Sequence, residues 1–376
     1  MKTYIHENEN WTDFTWYNKK VMIKLGEARN QQGRLFGKME SLGSDLQNEA
    51  VLDILTLDVI KSSEIEGEFL EMEQVRSSIA RRPGIDIAGA VESERHVDGI
   101  VEMMLDATQR YDIPLTRDRL LGWHAALFPS GWSNLYKITV ADWRKDTTGP
   151  MQVVSGVMEK EEVPYQAPSS DRIEPEMNRF LDWFENEHEI DLVLKAAIAH
   201  LWIVTIHPFD DGNGRITRAI TDMILARSDK SIRRFYSMSA QIRIERKQYY
   251  EKLEKTQKGN SDITEWILWF LQGLINAIDS TEEILSKILH KADFWKNHST
   301  TIINNRQQKI INRLLDGFDG KLTTSKWAKI NNCSQDNAFR DIQNLIKKDI
   351  LQKEASGGRS TNYELKKMQG TNEKVA

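Results

Sequence analysis

The stretch from His207 to Arg218 is the part of the 376-residue chain richest in residues that can do chemistry. It reads His-Pro-Phe-Asp-Asp-Gly-Asn-Gly-Arg-Ile-Thr-Arg. Gly212 and Gly214 let the backbone turn tightly and expose N–H groups where an amphipathic helix begins. A helix N-terminus carries partial positive charge and free donors, so it favours an anion such as phosphate. Arg215 lies three residues before Arg218, and guanidinium groups on one helix face bind phosphate oxygens well.

Two more side chains of this stretch suit a nucleotide reaction. Asp211 directly precedes the glycines, and Mg²⁺ beside phosphates usually takes one or two carboxylates together with phosphate oxygens. His207 ends the preceding helix, and a neutral imidazole there can accept a proton from an attacking hydroxyl. The residue types therefore indicate a phosphate site, a metal ligand and a general base.

Other interpretations of the same residues are weaker. Asp-Gly-Asn-Gly is also compatible with a simple turn, and the residues alone leave that alternative open. An EF-hand loop is excluded, because Arg215 and Ile216 stand where an oxygen ligand and a glycine are required. A zinc site built on His207 and His200 would lack a third ligand nearby in the sequence.

The spacing His-Pro-Phe-x-Asp-Gly-Asn-Gly-Arg-x-x-Arg resembles the complete signature of the Fic (Fido) family. The resemblance implies a protein adenylyltransferase, which moves AMP from ATP to a Ser, Thr or Tyr hydroxyl of a target protein and releases pyrophosphate. It implies that His207 is the base, that Asp211 binds Mg²⁺ and that Arg218 contacts the γ-phosphate. The implied ATP-binding stretch is Asp211, Gly212, Asn213, Gly214, Arg215, Ile216, Thr217 and Arg218.

The resemblance continues on both sides of this stretch. Upstream, alternating and charged residues between 153 and 165 predict a β-hairpin. Its residues Ser155, Gly156 and Val157 sit where the family carries a flap that aligns the target segment by β-augmentation. Trp143-Arg144 resembles the strand that enters the flap. Downstream, Tyr249, Tyr250 and Gln257 resemble the adenine and ribose end of the pocket. Adjacent tyrosines on a helix face different ways, so one of them is expected to stack on the base, and simple helix packing is the alternative.

Ser62-Ser63-Glu64-Ile65-Glu66-Gly67 resembles the inhibitory motif of autoinhibited Fic proteins. Ser62 and Glu66 are four residues apart and therefore share a helix face. We expect Glu66 to form a bidentate pair with Arg218, which would occupy that arginine and leave ATP misaligned. In a second role, Glu66 would activate water to remove AMP from a modified target. The alternative interpretation is that this segment is an ordinary solvent-exposed helix end without an inhibitory role.

The elements that must position these residues are mainly helical. Apolar residues recur at i, i+3 and i+4, and the chain has only 8 prolines. We predict helices over about 174–187, 191–205 and from 213 through 224. Residues 11–82 resemble the helical domain that precedes many bacterial Fic cores.

Composition excludes several classes of protein. The mean hydropathy of −0.54 excludes a polytopic membrane protein, and the most apolar stretch, 266–278, is too short to span a bilayer. The N-terminus has no secretory pattern, and the single Cys333 excludes a disulfide framework. A cytoplasmic location and no membrane partner are the expectations.

The C-terminal part differs in charge from the rest. Residues 301–376 hold 14 Lys and Arg against 8 Asp and Glu, a net charge of +6, while the first 300 residues carry −11. Three helices and a hairpin predict a winged helix, with a Thr/Ser cap near 323. Arg340, Lys347, Lys348 and Arg359 are the candidates for DNA phosphate contacts, and protein docking or dimerisation is the alternative.

The predicted fold is therefore mainly α. It comprises an N-terminal helical domain (1–95) with the inhibitory motif, a Fic core (96–290) with a β-hairpin flap, and a winged helix (300–376). The predicted function is ATP- and Mg²⁺-dependent AMP transfer to a target protein or to the chain itself, restrained by Glu66. The alternatives are a nucleotide-sensing, DNA-binding regulator, AMP removal, and transfer of UMP or another phosphoryl group. A homodimer is left open.

Overall fold

The computed structural model describes residues 4–81, 91–133, 135–146, 149–153, 165–318, 320–354 and 361–366. The fold is mainly α with short antiparallel hairpins, as predicted. The chain divides into two compact units, Met1–Glu282 and Glu283–Ala376. The predicted division of the first 290 residues into two domains stays a prediction. Within the described ranges, no helix combines the length and the apolar character needed to cross a membrane.

The first unit is built from helices around a buried central pair. After a 3-10 turn (Ile5–Glu7), the helices are α1 (Asn18–Glu40), α2 (Ser44–Ile65), α3 (Met72–Arg81), α4 (Arg95–Gln109), α5 (Arg117–Leu127), α6 (Ser170–Asn186), α7 (Leu192–Ile206), α8 (Asn213–Asp229), α9 (Met238–Ile244), α10 (Arg246–Gln257) and α11 (Thr264–Asn297). The strands form two hairpins, β1 (Trp132–Ser133) with β2 (Tyr136–Lys137) and β3 (Gln152–Val153) with β4 (Tyr165–Gln166).

Helix α7 is the centre of the first unit. Residues 193–206 are all buried, because the helix is apolar around its whole circumference and α8 packs along it. Asp191 caps its N-terminus by accepting a hydrogen bond from the Val193 N–H at 2.8 Å. The predicted helices at 191–205 and from 213 are confirmed. The one predicted over 174–187 begins earlier, at Ser170, so Pro175 lies inside the helix rather than at its start.

Helix α2 lies against α8, α9 and α4 and delivers the predicted inhibitory segment to the start of α8. A buried charge cluster holds it there: the Ser237 hydroxyl donates to Asp58 of α2, and Asp222 of α8 pairs with Arg234 at 2.8 Å. Burial and the neighbouring Asp58 raise the pKa of Asp222. The Ile65 carbonyl at the end of α2 accepts a hydrogen bond from Arg246 Nε at 3.0 Å. The end of α2 is therefore tied to its surroundings by polar contacts as well as by packing.

Replacing Gly99, which lies where α4 crosses α5, is expected to lower the stability of the protein. A Cβ at Gly99 would lie 1.9 Å from the carbonyl oxygen of Ala126, so Gly99→Ala forces the helices apart. We expect a loss of about 1–3 kcal/mol in the free energy of unfolding. Gly122 of α5 is exposed, with nothing within 4 Å of its Cβ position, so Gly122→Ala should be neutral or stabilising by up to about 1 kcal/mol. Urea unfolding of both variants measures the difference. Equal effects would contradict the close helix crossing.

The second unit begins within α11, at Glu283, and continues with three helices and a hairpin, in the predicted order. They are α12 (Asn305–Gly317), α13 (Thr324–Ile330), α14 (Gln335–Lys347), β5 (Leu351–Lys353) and β6 (Tyr363–Leu365). The predicted cap is Thr323, whose hydroxyl accepts from the Lys326 N–H at 3.2 Å. Trp327 and Ile342 lie at the centre of the core. The name winged helix stays a prediction.

The predicted DNA-contacting residues are only partly accessible. Arg340 and Lys347 are exposed, Lys348 is half-buried with its ammonium on the Ile302 carbonyl, and Arg359 lies outside the described residues.

Candidate functional site

The loop between α7 and α8 contains two residues with a left-handed backbone, one at each end. His207 ends α7 in the left-handed region with φ +54°, and Gly212 has φ +81° just before α8 begins. A Cβ at Gly212 would lie 2.9 Å from the Phe128 ring, so a side chain there is excluded on both counts. The Asn213 side chain exchanges two hydrogen bonds with the Phe209 backbone, at 2.9 and 2.8 Å. Asn213 therefore shapes the loop by binding to it.

His207 is held as a neutral imidazole with one nitrogen free. Its Nδ1 lies 3.4 Å from the Val204 carbonyl oxygen, which can only accept, so Nδ1 carries the proton and Nε2 keeps its lone pair. Burial lowers the pKa of His207 to about 4, against the opposing effect of the Val204 carbonyl. The predicted base is therefore unprotonated at neutral pH, with Nε2 able to accept a proton.

Asp211 presents a carboxylate that fits the predicted metal. Its Oδ1 accepts a hydrogen bond from the Gly212 N–H at 2.5 Å, and Oδ2 accepts one from the Ser133 hydroxyl. Among the residues that the structure describes, no group of three or more His, Cys, Asp or Glu is placed to hold a metal. A single hard carboxylate suits Mg²⁺ when phosphate oxygens and water supply the remaining ligands. Asp211 is thus compatible with Mg²⁺ bound jointly with a nucleotide.

Glu66 places a carboxylate in the predicted anion site. A Cβ at Gly214 would lie 1.9 Å from Glu66 Oε1, which shows how closely this oxygen approaches the first turn of α8. The same oxygen lies 2.8 Å from Nη1 of Arg218. The helix N-terminus and the guanidinium, both predicted to bind phosphate, are therefore occupied by a carboxylate of the protein itself.

The pairing of Arg218 differs from the prediction of a bidentate carboxylate pair. Its Nε donates to the Ser62 hydroxyl at 2.8 Å, and its Nη2 donates to the Ser62 carbonyl at 2.7 Å. The guanidinium is thus shared between Glu66 and Ser62. The Ser62 carbonyl is available because it belongs to the last turn of α2, where backbone acceptors lack partners in the helix.

Glu68 pairs with Arg215, the second arginine of the predicted anion site. The sequence did not predict this contact. Oε2 of Glu68 accepts from Arg215 Nη1 at 2.7 Å, and the other oxygen bonds with His96. Burial acts to raise the pKa of Glu68, but the His96 hydrogen bond and the Arg215 charge hold it below its usual value. Gly67, with φ +84°, turns the chain between the two acids so that each faces its own arginine. The only signal in the sequence was a second acid two residues after Glu66.

Arg215 keeps some binding capacity in this state. The residue is 5% exposed, its guanidinium lies 5.2 Å from the Phe128 ring, and its Nε has no hydrogen-bond partner among the described residues. A buried donor without an acceptor is costly, and a phosphate oxygen would satisfy it. The residue is therefore suited to an anionic ligand beyond its pairing with Glu68.

A cavity of about 700 Å³ lies beside these groups. Its lining includes Glu66, Glu68, Asp211 and Arg215, with Trp132 of β1 at one side. The cavity can hold a ligand of nucleotide size. It combines carboxylates with Arg215, so a polyphosphate bound in it would have to displace Glu68 from that arginine.

The remaining predicted contacts are spread over different environments. Ile216 and Thr217 are buried in α8. Tyr249 is buried with its hydroxyl 2.9 Å from His200 Nε2, whereas Tyr250 is half-buried. Gln257 is buried, and its Nε2 donates to the Thr205 hydroxyl at 3.2 Å. Tyr250 is therefore the more accessible of the two tyrosines.

The predicted flap residues Ser155, Gly156 and Val157 lie outside the described residues. The base of the hairpin is described, and β3 pairs with β4 through Gln152 with Gln166 and Val153 with Tyr165.

His200 is expected to make stability depend on pH. Burial and the Arg218 charge lower its pKa to about 3, below the unfolded value near 6.5, so the unfolded chain binds the extra proton between these values. Its contribution is complete above about pH 6.5 and is lost as the pH falls toward 3. The destabilisation caused by His200→Gln should therefore shrink by about 2 kcal/mol from pH 7 to pH 5, measured by urea unfolding. A constant difference would mean that His200 stays protonated or uncharged in both states.

Residues 114–225 match the model of the Fic/DOC family, and residues 4–85 match that of a domain of unknown function, DUF4172. The chain is similar to the protein adenylyltransferase Fic of Nematostella vectensis, at 25% identity over 259 residues, 65% of this chain and 52% of the relative. It is also similar to a probable protein adenylyltransferase of Aquifex aeolicus, at 30% identity over 124 residues, 31% of this chain and 38% of the relative. The chain thus spans about half the length, or less, of these curated relatives.

Two solved structures share the fold. A Fic family protein from Desulfovibrio desulfuricans superposes with a TM-score of 0.52 at 20% identity, covering 93% of this chain and 97% of that one. A Fic domain containing signaling protein from Bacteroides thetaiotaomicron superposes with a TM-score of 0.50 at 19% identity, covering 70% and 98%. At these identities the similarity concerns the fold.

Proposed function

We propose that this chain, whose residues 114–225 match the model of the Fic/DOC family, is an enzyme that transfers AMP from ATP to a hydroxyl group of a protein. The observation that carries the proposal is the site at the start of α8. There an anion already sits on Gly214 and Arg218, and an imidazole with a free Nε2 ends the helix before the loop. An anion site next to a neutral base is what phosphate-linked group transfer to a hydroxyl requires.

In the proposed reaction, the hydroxyl oxygen of a Ser, Thr or Tyr attacks the α-phosphorus and forms an O–P bond. The bond from the α-phosphorus to its bridging oxygen breaks, and pyrophosphate leaves. Nε2 of His207 takes the hydroxyl proton, while Arg215 and Arg218 bind the phosphate oxygens and lower the cost of the developing charge. Asp211 would hold Mg²⁺, which when bound neutralises charge on the phosphates. The target segment would align on the β3–β4 hairpin by adding a strand.

Autoinhibition is part of the proposal. Glu66 takes the position and the charge partner that the γ-phosphate would use, so the resting enzyme binds ATP poorly or in a geometry unsuited to attack. Removing AMP from a modified protein is a second candidate activity, because the same carboxylate lies inside the phosphate site, where it can activate a water molecule.

The test of the proposed reaction compares two labels on the same nucleotide. With Mg²⁺, α-labelled ATP should transfer its label to protein, in the chain itself or in a lysate, whereas γ-labelled ATP should not. Transfer of the γ-label would indicate a kinase. Transfer from neither ATP, together with loss of label from protein that already carries AMP, would favour AMP removal. Labelled UTP and GTP test the nucleotide preference.

Glu68→Gln is expected to raise the affinity for ATP. The substitution removes the charge that pairs with Arg215 at 2.7 Å, so Arg215 no longer has to give up a carboxylate to bind phosphate. A charge-assisted hydrogen bond contributes about 1.5–3 kcal/mol, so we expect about a tenfold or greater fall in Kd. Equilibrium binding of a fluorescent ATP analogue measures it.

The matched control is Glu94→Gln. Glu94 lines the same cavity, but its carboxylate lies 4.0 Å from His96 rather than on an arginine. We expect its effect on Kd to be below about threefold, because an exposed charge is screened. Equal effects of the two substitutions would show that the total charge of the cavity matters, and not the Glu68–Arg215 pair.

Partners of the second unit are also proposals. Arg340 and Lys347 are exposed on α14 and suit DNA phosphates or an acidic protein surface, and self-association through this unit is the alternative. Salt-dependent binding to duplex DNA, compared with that of Arg340→Ala, separates them.

A further inference from the structure

Arg144 is a fully buried arginine without a role in the reaction described above. Its Nε donates to the carbonyl oxygen of His207 at 2.8 Å, and its backbone N–H donates to the carbonyl of Pro208 at 3.0 Å. Arg144 thus binds the chain at both residues of the His207–Pro208 peptide, directly where the proposed base leaves α7.

The other end of the same guanidinium binds the two chain segments that flank the β3–β4 hairpin. Its Nη2 donates to the Pro168 carbonyl, and its Nη1 pairs with Asp146. Asp146 in turn accepts a hydrogen bond from the Ser170 N–H at 2.7 Å. Asp146 precedes β3 and Pro168 follows β4, so one planar group connects His207 with the chain on both sides of the hairpin.

A second contact joins the hairpin to the end of α7. The hydroxyl of Tyr165, in β4, donates to the Thr205 carbonyl at 2.8 Å. The last carbonyls of a helix lack partners within it, and here those of Thr205 and His207 are satisfied by side chains of the hairpin region. His207 also keeps a left-handed backbone, which a non-glycine residue adopts at a cost of order 1 kcal/mol and retains only when its surroundings enforce it.

We infer that Arg144 is a positioning residue, which fixes the His207 imidazole relative to the hairpin that presents the target hydroxyl. This inference rests on the proposed AMP transfer. Without Arg144, the His207 carbonyl loses its donor and the two sides of the hairpin lose their common partner. The imidazole then samples orientations from which Nε2 cannot reach the hydroxyl, while the phosphate site on α8 is unchanged.

The kinetic test uses Arg144→Ala and Arg144→Lys in the Glu66→Gly background. We expect kcat for AMP transfer to fall about 100-fold with KM for ATP unchanged, because a misplaced base slows chemistry and not nucleotide binding. Added guanidinium ion should restore part of kcat in Arg144→Ala, and Lys should restore little, because an ammonium cannot span all three acceptors. The matched control is Arg117→Ala, whose guanidinium lies 5.7 Å from Trp143 and pairs with Glu174 at 3.0 Å. Unchanged kcat in both variants, or a rise in KM for ATP with kcat kept, would overturn the inference.

A second measurement keeps the inference separate from the proposed function. In ¹⁵N-histidine-labelled protein, His207 should give the signals of a neutral ring protonated at Nδ1, and Arg144→Lys should shift them toward an average of both tautomers. If the parent transfers no AMP, the proposed function fails, but the tautomer shift still tests Arg144. Unchanged His207 signals in Arg144→Lys would overturn the positioning role, whatever the activity. If Arg144→Ala does not fold, Arg144→Lys is the variant used for both measurements.

Discussion

Glu66→Gly is expected to raise the rate of AMP transfer about 10- to 100-fold over the unmodified chain. The carboxylate of Glu66 lies against Gly214 and 2.8 Å from Arg218, so its removal frees the helix N-terminus and the guanidinium together. Releasing a close ion pair of about 1.5–3 kcal/mol corresponds to this factor, since each 1.4 kcal/mol is tenfold. Transfer of label from α-labelled ATP to protein measures the rate.

Two further variants separate loss of charge from loosening of the helix end. Glu66→Gln keeps the shape without the charge and should activate as well. Glu64→Gly places a glycine in the same turn of α2, but Glu64 pairs with Lys61 at 2.7 Å and Arg243 at 3.3 Å, so it should not activate. Activation by Glu64→Gly to the same extent would mean that a mobile helix end, and not the carboxylate, controls the site. No activation by any variant would remove autoinhibition from the proposal.

The local chemistry of the 207–218 stretch could be predicted because it depends on neighbours in sequence. Glycines before a helix, and arginines three residues apart on it, have consequences that spacing alone determines. The pairing of Glu66 with Arg218 was predictable only through a resemblance, since the two residues lie far apart in the chain. Even then the bidentate geometry was wrong, because a carbonyl at the end of α2 competes for the same guanidinium.

Two contacts that the sequence did not predict join residues far apart in the chain. Glu68 binds Arg215 across 147 residues, and Arg144 binds the His207 carbonyl across 63. The sequence around a single acid or arginine does not indicate its partner. Whether such a side chain is buried depends on how the helices pack. The same limit applies to Tyr249, whose hydroxyl is used by the buried His200.

His207→Ala, made in the Glu66→Gly background, is expected to lower AMP transfer about 100- to 10,000-fold, the usual contribution of a general base. The physical reason is that Nε2 is the free nitrogen of a neutral ring whose Nδ1 is held by the Val204 carbonyl. ATP binding should change little, because the phosphate contacts come from Arg215, Arg218 and the start of α8. The rate of label transfer and the equilibrium Kd for ATP are the two measurements.

The combination of these two results decides what His207 does. If the rate falls and the Kd stays, the histidine acts on the hydroxyl proton, as a base should. If the rate falls and the Kd for ATP rises, the loss of His207 has disturbed the loop that also forms the anion site, and its role is structural. His188→Ala, at an exposed histidine between α6 and α7, should change neither quantity. A His207→Ala variant that keeps more than about a tenth of the rate would exclude general-base catalysis by this residue, since that contribution is at least about 100-fold.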